Sequence, residues 1–380
     1  MCRIGNLPYV NRPIRIGVRD GDLSRRNATE LRSNDVSSHT PLVSVLTPTF
    51  NQSEFLGECI SSVIGQRYRN WEQIVIDDSS TDGTDDLIRR FEDPRVHFDR
   101  QPHAGILALA STYNRALRQS RGDLVAILEG DDLWSPEKLD LLVPAFNDPS
   151  VVVAYGRTGI VTGAKMTGTT IPDARFERRF GISALFNDPP GAAARAMLHI
   201  GYPFTFPCAV VIRRTALDAI GGFQAIAGLG AMDYPTFLEL SLVGRFAYVD
   251  RVVAYWRRHP GSGSWSTHEP AIRSTAAFGH SFVRTHSKRL GLSPAEARAI
   301  DAAARRRVQR AAFNTGRRLL VQRRWREARD SFVRAVRSPY PPIFVGGLVG
   351  FAASVLRVDI EGLMRAAGRM SFGPERSTKR

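Results

Sequence analysis

Three carboxylates lie within four residues at the end of an apolar run, in the sequence AILEGDDLW. They are Glu129, Asp131 and Asp132, and a second acidic pair, Asp77 and Asp78, ends the apolar run EQIVIDD. Clustered carboxylates repel one another unless a cation or hydrogen-bond donors offset their charge. Hard carboxylate oxygens suit Mg²⁺ or Mn²⁺, and these ions keep positions open for substrate phosphates. The pattern therefore predicts a metal–diphosphate site.

The elements that would position these acids follow from the hydrophobic pattern. Short apolar runs alternate with amphipathic segments of roughly 10–15 residues between positions 43 and 155. This alternation predicts an α/β fold, a Rossmann-like and mainly parallel sheet with helices on both faces. In such sheets ligands bind beyond the carboxyl ends of the strands, and both acidic clusters follow predicted strands. We therefore expect the acids to line a single crevice.

The chain has 380 residues and a formal net charge of +15, which is carried almost entirely by arginine. This charge is compatible with nucleotide phosphates, an anionic membrane surface or nucleic acid as partners. The sequence carries no zinc, helix-turn-helix or ribonucleoprotein signature, so we expect no nucleic-acid partner. The three cysteines are isolated, which argues against a disulfide framework and fits a reducing compartment.

Changes in composition divide the chain into three predicted parts. Residues 1–40 are polar, rich in arginine and in turn formers, which predicts a disordered basic extension without a secretory signal. Residues 41–265 contain the alternating pattern and are predicted to form the α/β domain. Residues 266–380 are predicted to be mostly α-helical and are strongly basic. We therefore expect a cytoplasmic protein with one α/β domain and a helical C-terminal region.

An apolar stretch, IFVGGLVGFAASVL, occupies residues 343–356 of this basic region. It has about 14 residues, fewer than the roughly 20 that are needed to cross a bilayer. We therefore expect a buried or interfacial helix rather than a membrane span. Its arginine-rich surroundings leave open a peripheral contact with the inner face of the plasma membrane.

The segment VSVLTPTFNQSEFLGECISSVIGQRYRNWEQIVIDDSSTDGT resembles the opening of family 2 glycosyltransferases, which have the GT-A fold. The family pattern is a strand ending in P-T-F-N, a helix with S-V-x-x-Q and a strand ending in D-D-x-S-x-D-x-T. The later segment EGDDLWSPEKL is similar to the D-x-D-type motif of the family, with Glu129 where the family more often has Asp. This resemblance covers roughly residues 41–264.

The resemblance implies transfer of a sugar from a nucleotide-diphosphate donor to an acceptor hydroxyl, with inversion and with the help of Mn²⁺ or Mg²⁺. The nucleotide-sugar-binding residues that it implies are Pro48, Thr49, Asn51, Asp77, Asp78, Asn114 and Asp131. The metal-binding residues that it implies are Glu129, Asp131, Asp132 and His259. The acceptor that we expect is a glycan or a lipid-linked molecule of cell-surface polysaccharide or glycolipid synthesis.

The segment GLGAMDYPTFLELSLVG resembles the part of the family in which an acidic pair precedes a helix. Asp233 matches the catalytic base, which takes the proton from the acceptor hydroxyl, whereas Met232 replaces the acid that usually precedes it. Residues 41–155 would then be the nucleotide-binding half, and residues 156–265 the half with the catalytic base and the acceptor site. The Q-x-x-R-W segment of processive members is absent, which favours transfer of a single sugar.

Two other functions remain open from the sequence. A nucleotidyltransferase also uses a metal and an α/β nucleotide site, but it typically has a glycine-rich basic loop after its first strand, and TPTFNQSEF lacks one. A non-catalytic nucleotide-sugar-binding or scaffold protein of the same fold is suggested by Glu129 and Met232. Such a protein would bind the donor without turnover.

Overall fold

The computed structural model describes residues 40–163, 165–169, 172, 174–259, 261–262 and 269–366. The predicted disordered extension, residues 1–40, lies outside the described residues except for Thr40. The described residues form two units. The first contains residues 40–197 and 203–262, and the second contains residues 198–202 and 269–366.

One sheet forms the centre of the first unit, with nine strands among the described residues. The strands are β1 (Val43–Thr49), β2 (Trp71–Asp77), β3 (Val96–Arg100), β4 (Leu124–Ile127), β5 (Leu133–Trp134), β6 (Val151–Thr162), β7 (Lys165–Thr169), β8 (Val210–Arg213) and β9 (Arg245–Arg258). Their order is β3-β2-β1-β4-β8-β6-β9-β5, and β7 pairs with β6. Strand β2 pairs in parallel with β1 and β3, and β1 also pairs in parallel with β4. Strand β8 is antiparallel to both β4 and β6.

Helices connect these strands. They are α1 (Ser53–Ile64), α2 (Thr84–Ile88), α3 (Leu109–Gln119), α4 (Lys138–Leu142), α5 (Ala174–Phe186), α6 (Ala192–Ile200), α7 (Arg214–Ala219) and α8 (Asp233–Val243). Short 3-10 turns occupy Ile106–Ala108, Val143–Asn147 and Pro207–Ala209. The predicted α/β fold class is confirmed, with a sheet that is parallel in its first half and mixed in its second half.

The parallel strands bring the predicted acidic clusters to one edge of the sheet. Every residue of β1, β2 and β4 is buried, as expected for parallel strands that are covered on both faces. In the register, Thr49 of β1 lies beside Asp77 of β2, and Leu46 lies beside Ile127 of β4. The chain therefore leaves β1, β2 and β4 at the same edge, where the polar segments follow.

Two helices are shorter than the sequence suggests. The amphipathic pattern of residues 81–93 predicts a helix there, but only α2 is helical. It starts at Thr84 because Asp82 accepts hydrogen bonds from the backbone and hydroxyl of Thr84 and Gly83 has a positive φ of 88°. Ser135 and Pro136 predict a helix that starts at Pro136, but α4 begins at Lys138. Ser135 is part of the sheet edge, since its N–H donates to the carbonyl of Val253 over 3.0 Å.

The second unit is helical over its described residues. Its helices are α9 (Glu269–His286), α10 (Pro294–Val321), α11 (Trp325–Val336), α12 (Pro341–Leu356) and α13 (Ile360–Ala366). Ser293 and Glu296 form a reciprocal capping box at the start of α10. Leu320, Ala328 and Phe332 are completely buried between α10 and α11. Among the described residues, no helix combines the length and the apolar character that a bilayer crossing would require.

Candidate active site

Asp78 follows β2, and the segment of residues 101–105 surrounds its carboxylate. Oδ1 accepts hydrogen bonds from Gln101 Nε2 over 2.8 Å and from Ala104 N over 2.9 Å. Oδ2 accepts one from Gly105 N over 2.9 Å, and His103 Nδ1 lies 3.0 Å away. Burial alone would raise the pKa of Asp78, but these hydrogen bonds and the charge of His103 lower it below its ordinary value. Asp78 is therefore ionised at neutral pH.

An exposed aromatic pair borders Asp78. The ring of Phe50 lies 4.4 Å from the imidazole of His103, tilted by 33°, and 43% of Phe50 is exposed. The two rings can stack on a planar ligand, and the ionised carboxylate beside them can accept hydrogen bonds from its N–H groups. Neither ring was predicted from the sequence. The signal for Phe50 was a large aromatic residue directly after a buried strand, whereas His103 becomes apparent only through its contact with Asp78.

Asn51 joins the loop after β1 to the loop after β2. It adopts a positive φ of 50°, its N–H donates to Ser80 Oγ over 2.8 Å, and its Oδ1 accepts from Thr81 N over 2.9 Å. Asp77 is completely buried and accepts hydrogen bonds from the N–H and hydroxyl of Ser80, with Arg100 Nε 3.7 Å away. The carboxylate of Asp77 therefore shapes the loop after β2, and its contact with the nucleotide-sugar stays a prediction.

Pro48 and Thr49 pack against the acidic segment. Gly130 N donates to the carbonyl of Pro48 over 3.1 Å. A Cβ atom at Gly130 would lie 2.8 Å from Thr49 Oγ1 and 2.5 Å from Gln52 Oε1, which are already hydrogen-bonded to each other. The glycine between Glu129 and the two aspartates is therefore required by the close approach of β1.

Glu129 has one hydrogen-bonded carboxylate oxygen and one that lacks a partner. Oε1 accepts from the hydroxyl of Tyr113 over 2.9 Å, whereas Oε2 is buried with no hydrogen-bond partner. Burial, together with the charges of Asp131 and Asp233, raises the pKa of Glu129 to about 7, although the Tyr113 hydrogen bond opposes this rise. A bound cation would supply the missing partner of Oε2 and would offset the clustered negative charge.

Asp131 and Asp132 point to different partners. Asp131 Oδ2 lies 2.9 Å from His259 Nε2. Asp132 Oδ1 accepts from the N–H of Arg257 in β9 over 2.9 Å, and the buried thiol of Cys208 donates to the same carboxylate. Burial and the neighbouring carboxylates raise the pKa of Asp132 well above its ordinary value. The structure thus brings together all four residues that were predicted to bind metal.

The donor set of this cluster fits a divalent cation. Ligand atoms of Glu129, Asp132 and Cys208 lie within 4.8 Å of one another. Carboxylate oxygens dominate the set, and one of them has no partner, which fits Mg²⁺ or Mn²⁺. Cys208 was not predicted as part of the site, because an isolated cysteine gives no sequence signal and reaches the acids only through the pairing of β8 with β4.

Asp233 is the first residue of α8 and faces the same cluster, since its charge contributes to the raised pKa of Glu129. Burial raises the pKa of Asp233 itself, although a 2.8 Å hydrogen bond from Tyr234 N to its Oδ1 opposes the rise. A carboxylate with a raised pKa is a better proton acceptor than an ordinary one. The residue predicted to be the catalytic base therefore lies near the predicted metal ligands.

Asn114 contacts the loop that leads toward α8. Its Nδ2 donates to the carbonyl of Phe223 over 2.9 Å, and its Oδ1 accepts from Phe223 N over 2.8 Å. Gly222 leaves the space that this amide needs, because a Cβ atom there would collide with Asn114 Oδ1. Both polar atoms of the amide thus hold this loop, and the contact of Asn114 with the nucleotide-sugar stays a prediction.

Two completely buried polar side chains, those of Lys138 and Gln66, support the turn that follows the acidic segment. Lys138 is completely buried, donates to the carbonyl of Cys208 over 2.6 Å and lies 3.7 Å from the centre of the Trp134 ring. Gln66 is also completely buried, and its Nε2 donates to the carbonyl of Ser135 over 2.7 Å. Its Oε1 accepts from Leu139 N over 3.2 Å. These contacts fix the turn that follows the acidic segment.

This chain is similar in sequence to known glycosyltransferases. Residues 44–221 match the family model described as Glycosyl transferase family 2. TuaG of Bacillus subtilis, whose name assigns it to teichuronic acid biosynthesis, is 39% identical over 102 residues, which are 26% of this chain and 40% of TuaG. The UDP-Glc:alpha-D-GlcNAc-diphosphoundecaprenol beta-1,3-glucosyltransferase WfgD of Escherichia coli is 32% identical over 127 residues, 33% of this chain and 49% of WfgD. The chain thus spans less than half the length of these two relatives.

The fold has a solved counterpart. The crystal structure of S. aureus TarS 1–349 superimposes with a TM-score of 0.53 and 17% identity. The superposition covers 86% of this chain and 92% of that chain. At this identity the likeness concerns the fold.

Proposed function

We propose that the chain is a family 2 glycosyltransferase that transfers a single sugar from a nucleotide-diphosphate donor to an acceptor hydroxyl, with inversion. The match of residues 44–221 to the family model and the similarity to TuaG support this proposal. The structural observation that supports it best is the meeting of three groups at one edge of the sheet. They are the ionised Asp78, the acidic cluster of Glu129, Asp131 and Asp132, and the poorly solvated Asp233. Each group has a chemistry that the transfer needs.

The nucleotide would bind at Asp78 and the aromatic pair. Phe50 and His103 offer ring faces for stacking on the base, and the carboxylate offers an acceptor for its N–H groups. The relative WfgD is named as a user of a UDP-sugar, and we propose a uridine nucleotide for this chain on that ground. The loop that Asn51 and Asp77 hold in place would set the distance between this subsite and the acids.

The diphosphate would lie over the acidic cluster. A Mg²⁺ or Mn²⁺ ion held by Glu129, Asp131 and Asp132 would supply positive charge to the leaving diphosphate. His259 orients Asp131 through their 2.9 Å contact, and the N–H of Arg257 orients Asp132. These contacts fix the carboxylates before the donor binds, so less ordering is needed when it does.

Asp233 would act as the base. As the acceptor hydroxyl attacks the anomeric carbon, Asp233 takes its proton, and the diphosphate leaves from the opposite face of the sugar. A single displacement of this kind inverts the anomeric configuration. Burial keeps Asp233 poorly solvated, which makes its carboxylate more basic.

We propose a glycan or a lipid-linked molecule as the acceptor, in cell-surface polysaccharide or glycolipid synthesis in the cytoplasm. Two relatives support this choice. The name of TuaG refers to teichuronic acid biosynthesis, and that of WfgD refers to a sugar carried on diphosphoundecaprenol. The name of WfgD also specifies that glucose is transferred from UDP-Glc.

The test is a thermal-shift and turnover screen of the purified protein against a panel of nucleotide-sugars, with and without Mn²⁺. Asp233→Asn is compared with wild type, and Asp218→Asn, at an exposed position of α7, is the matched control. We expect one donor to raise the melting temperature in the presence of Mn²⁺. Asp233→Asn should keep that shift but lose turnover at least about a thousandfold, whereas the control should behave as wild type.

Each other outcome points elsewhere. Normal turnover by Asp233→Asn would show that another group is the base. Donor binding without any turnover by wild type, across a panel of acceptors, would favour the non-catalytic scaffold function. Formation of a nucleotide-sugar from a nucleoside triphosphate and a sugar phosphate, with release of pyrophosphate, would favour a nucleotidyltransferase.

A further inference from the structure

Helix α12 presents its large apolar side chains outward. The outward residues are Phe344, Val345, Leu348, Val349, Val355 and Leu356, whose exposed fractions range from 40% to 73%. Its side facing the rest of the unit consists mainly of small residues, namely Gly347, Gly350, Ala353 and Ser354. This distribution is the reverse of a surface helix in water, which buries its large apolar residues and exposes polar ones.

The small residues let α12 pack closely against its neighbours. A Cβ atom at Gly350 would collide with the ring of Phe332 in α11, and one at Gly347 would lie 3.1 Å from Val336. Residues 341–356 contain no charged side chain. Small residues at helix contacts, with large apolar residues pointing away, are typical of helices whose surroundings are lipid.

The positive charge of the protein is concentrated in the same unit. Residues 269–366 contain 19 lysines and arginines against 7 aspartates and glutamates, whereas residues 40–262 contain 22 against 25. Tyr340 directly precedes α12 and lies under the guanidinium of Arg306, 4.6 Å from ring centre to Cζ. Exposed Arg357 directly follows the helix. Arginine at both ends of an apolar helix, with tyrosine at one of them, suits the level of the lipid headgroups.

We propose that the outward face of α12 inserts into the surface of an anionic membrane, with the helix axis parallel to the bilayer plane. With 16 residues, α12 is about 24 Å long and shorter than a hydrocarbon core of about 30 Å, so it lies in the surface instead of crossing it. Exposed Leu363 and Met364 of α13 extend the apolar surface. Anionic lipid is the occupant because it meets both the apolar face and the positive charge.

The test is vesicle flotation with the full-length protein in the absence of any donor. Vesicles of phosphatidylglycerol and phosphatidylcholine are compared with vesicles of phosphatidylcholine alone, at low and high NaCl. The variant Leu348→Gln/Val349→Gln removes apolar surface without changing charge. Ala299→Gln/Ala302→Gln makes the same kind of change at exposed positions of α10 and is the matched control.

We expect wild type and the α10 variant to float with the anionic vesicles, more strongly at low salt. The α12 variant should partition at least about tenfold less, with an unchanged circular-dichroism melting curve. Equal flotation of both variants, or no flotation of wild type, would overturn the proposal. So would a concentration-dependent dimer without vesicles that the α12 variant abolishes, because the face would then belong to a second copy. Since no donor takes part, failure here leaves the proposed transfer reaction untouched.

Discussion

Glu129 has a titration behaviour that can be tested without substrate. Its pKa is raised to about 7, so the native group holds its proton more tightly than the unfolded chain does. The free energy of unfolding should therefore fall as the pH rises from about 4.5 to about 7. We expect Glu129→Gln, which can still accept the hydrogen bond from Tyr113, to stabilise the metal-free protein at pH 8 by roughly 1–3 kcal/mol and to have little effect at pH 4. Urea denaturation at both pH values measures this.

The control for this experiment is Glu177→Gln, at an exposed position of α5. It should leave the unfolding free energy unchanged at both pH values. An equal gain from Glu129→Gln at pH 4 and pH 8 would contradict the assignment, because the gain would then come from packing and not from ionisation. In the same preparations, Glu129→Gln should bind Mn²⁺ more weakly than wild type.

Truncation of the Phe50 side chain should weaken ligand binding and leave stability nearly unchanged. Its ring is largely exposed beside His103, so truncation removes little buried surface. We expect Phe50→Ala to weaken nucleotide binding about five- to tenfold, as the loss of one stacking partner would, with the melting temperature within about 2 °C of wild type. Isothermal calorimetry with the donor nucleotide and Mn²⁺ measures the affinity.

Phe98→Ala, at a comparably exposed aromatic position in β3, is the matched control and should bind the nucleotide as wild type does. If Phe50→Ala and Phe98→Ala have the same affinity, Phe50 is not part of the base subsite. If Phe50→Ala unfolds, its exposed ring supports the loop after β1 instead of a ligand.

At the scale of elements, Gln66 links the end of α1 to the turn that follows the acidic segment. Its side chain is completely buried and satisfies both the carbonyl of Ser135 and the N–H of Leu139. We expect Gln66→Ala to cost about 2–4 kcal/mol, because it leaves a cavity and two backbone groups without partners. Donor affinity should fall as well, because the acidic segment loses its support.

Chemical denaturation and donor titration measure these two losses. Gln119→Ala, at an exposed position whose amide donates to the carboxylate of Asp99, is the control and should cost less than about 1 kcal/mol. A stable Gln66→Ala protein with normal donor binding would show that the turn is held by Lys138 and Trp134 alone.

The sequence predicted those elements whose cause is local. Buried parallel strands such as β2 and β4 are continuous apolar runs, and the amphipathic pattern of α3 is strong, so both kinds of element were expected. Helix α2 was overestimated because the side chain of Asp82 replaces helical hydrogen bonds in the preceding turn. The apolar runs FAYVD (residues 246–250) and VVAYWRRH (residues 252–259) predict two strands, but they belong to one continuous strand, β9, since pairing with β6 extends across the junction.

The surroundings of two site residues depend on contacts with distant parts of the sequence, so the local sequence pattern did not predict them. Cys208 reaches Asp132 through the pairing of β8, and Asn114 is taken by Phe223, more than one hundred residues away in the sequence. Motif positions such as Asp78 and Glu129 were found because they follow strands directly. Asp77 and Asp78 are adjacent and both buried, yet Asp77 binds Ser80 in its own loop whereas Asp78 binds the segment beside the aromatic pair, and the sequence does not show this difference.

At the scale of the whole molecule, charge divides along the boundary between the two units. Residues 40–262 carry slightly more acidic than basic side chains, while residues 269–366 carry the excess of arginine. We expect a chain of residues 40–265 to bind an anion exchanger at pH 8, whereas the full chain binds a cation exchanger. The shorter chain should keep the donor-dependent thermal shift. Retention of both chains on the same resin would contradict this distribution of charge in solution.

The thiol of Cys208 beside Asp132 should make the proposed metal site sensitive to Zn²⁺. Glu129, Asp132 and Cys208 together form a mixed oxygen and sulfur ligand set within 4.8 Å. Zn²⁺ binds such ligands more tightly than Mn²⁺ or Mg²⁺ does, so traces of zinc should occupy the cluster and inhibit the enzyme. Treatment with a chelator followed by Mn²⁺ should restore activity, and Cys208→Ser should tolerate zinc at higher concentrations. The proposed transfer should therefore be fastest in preparations from which zinc has been removed.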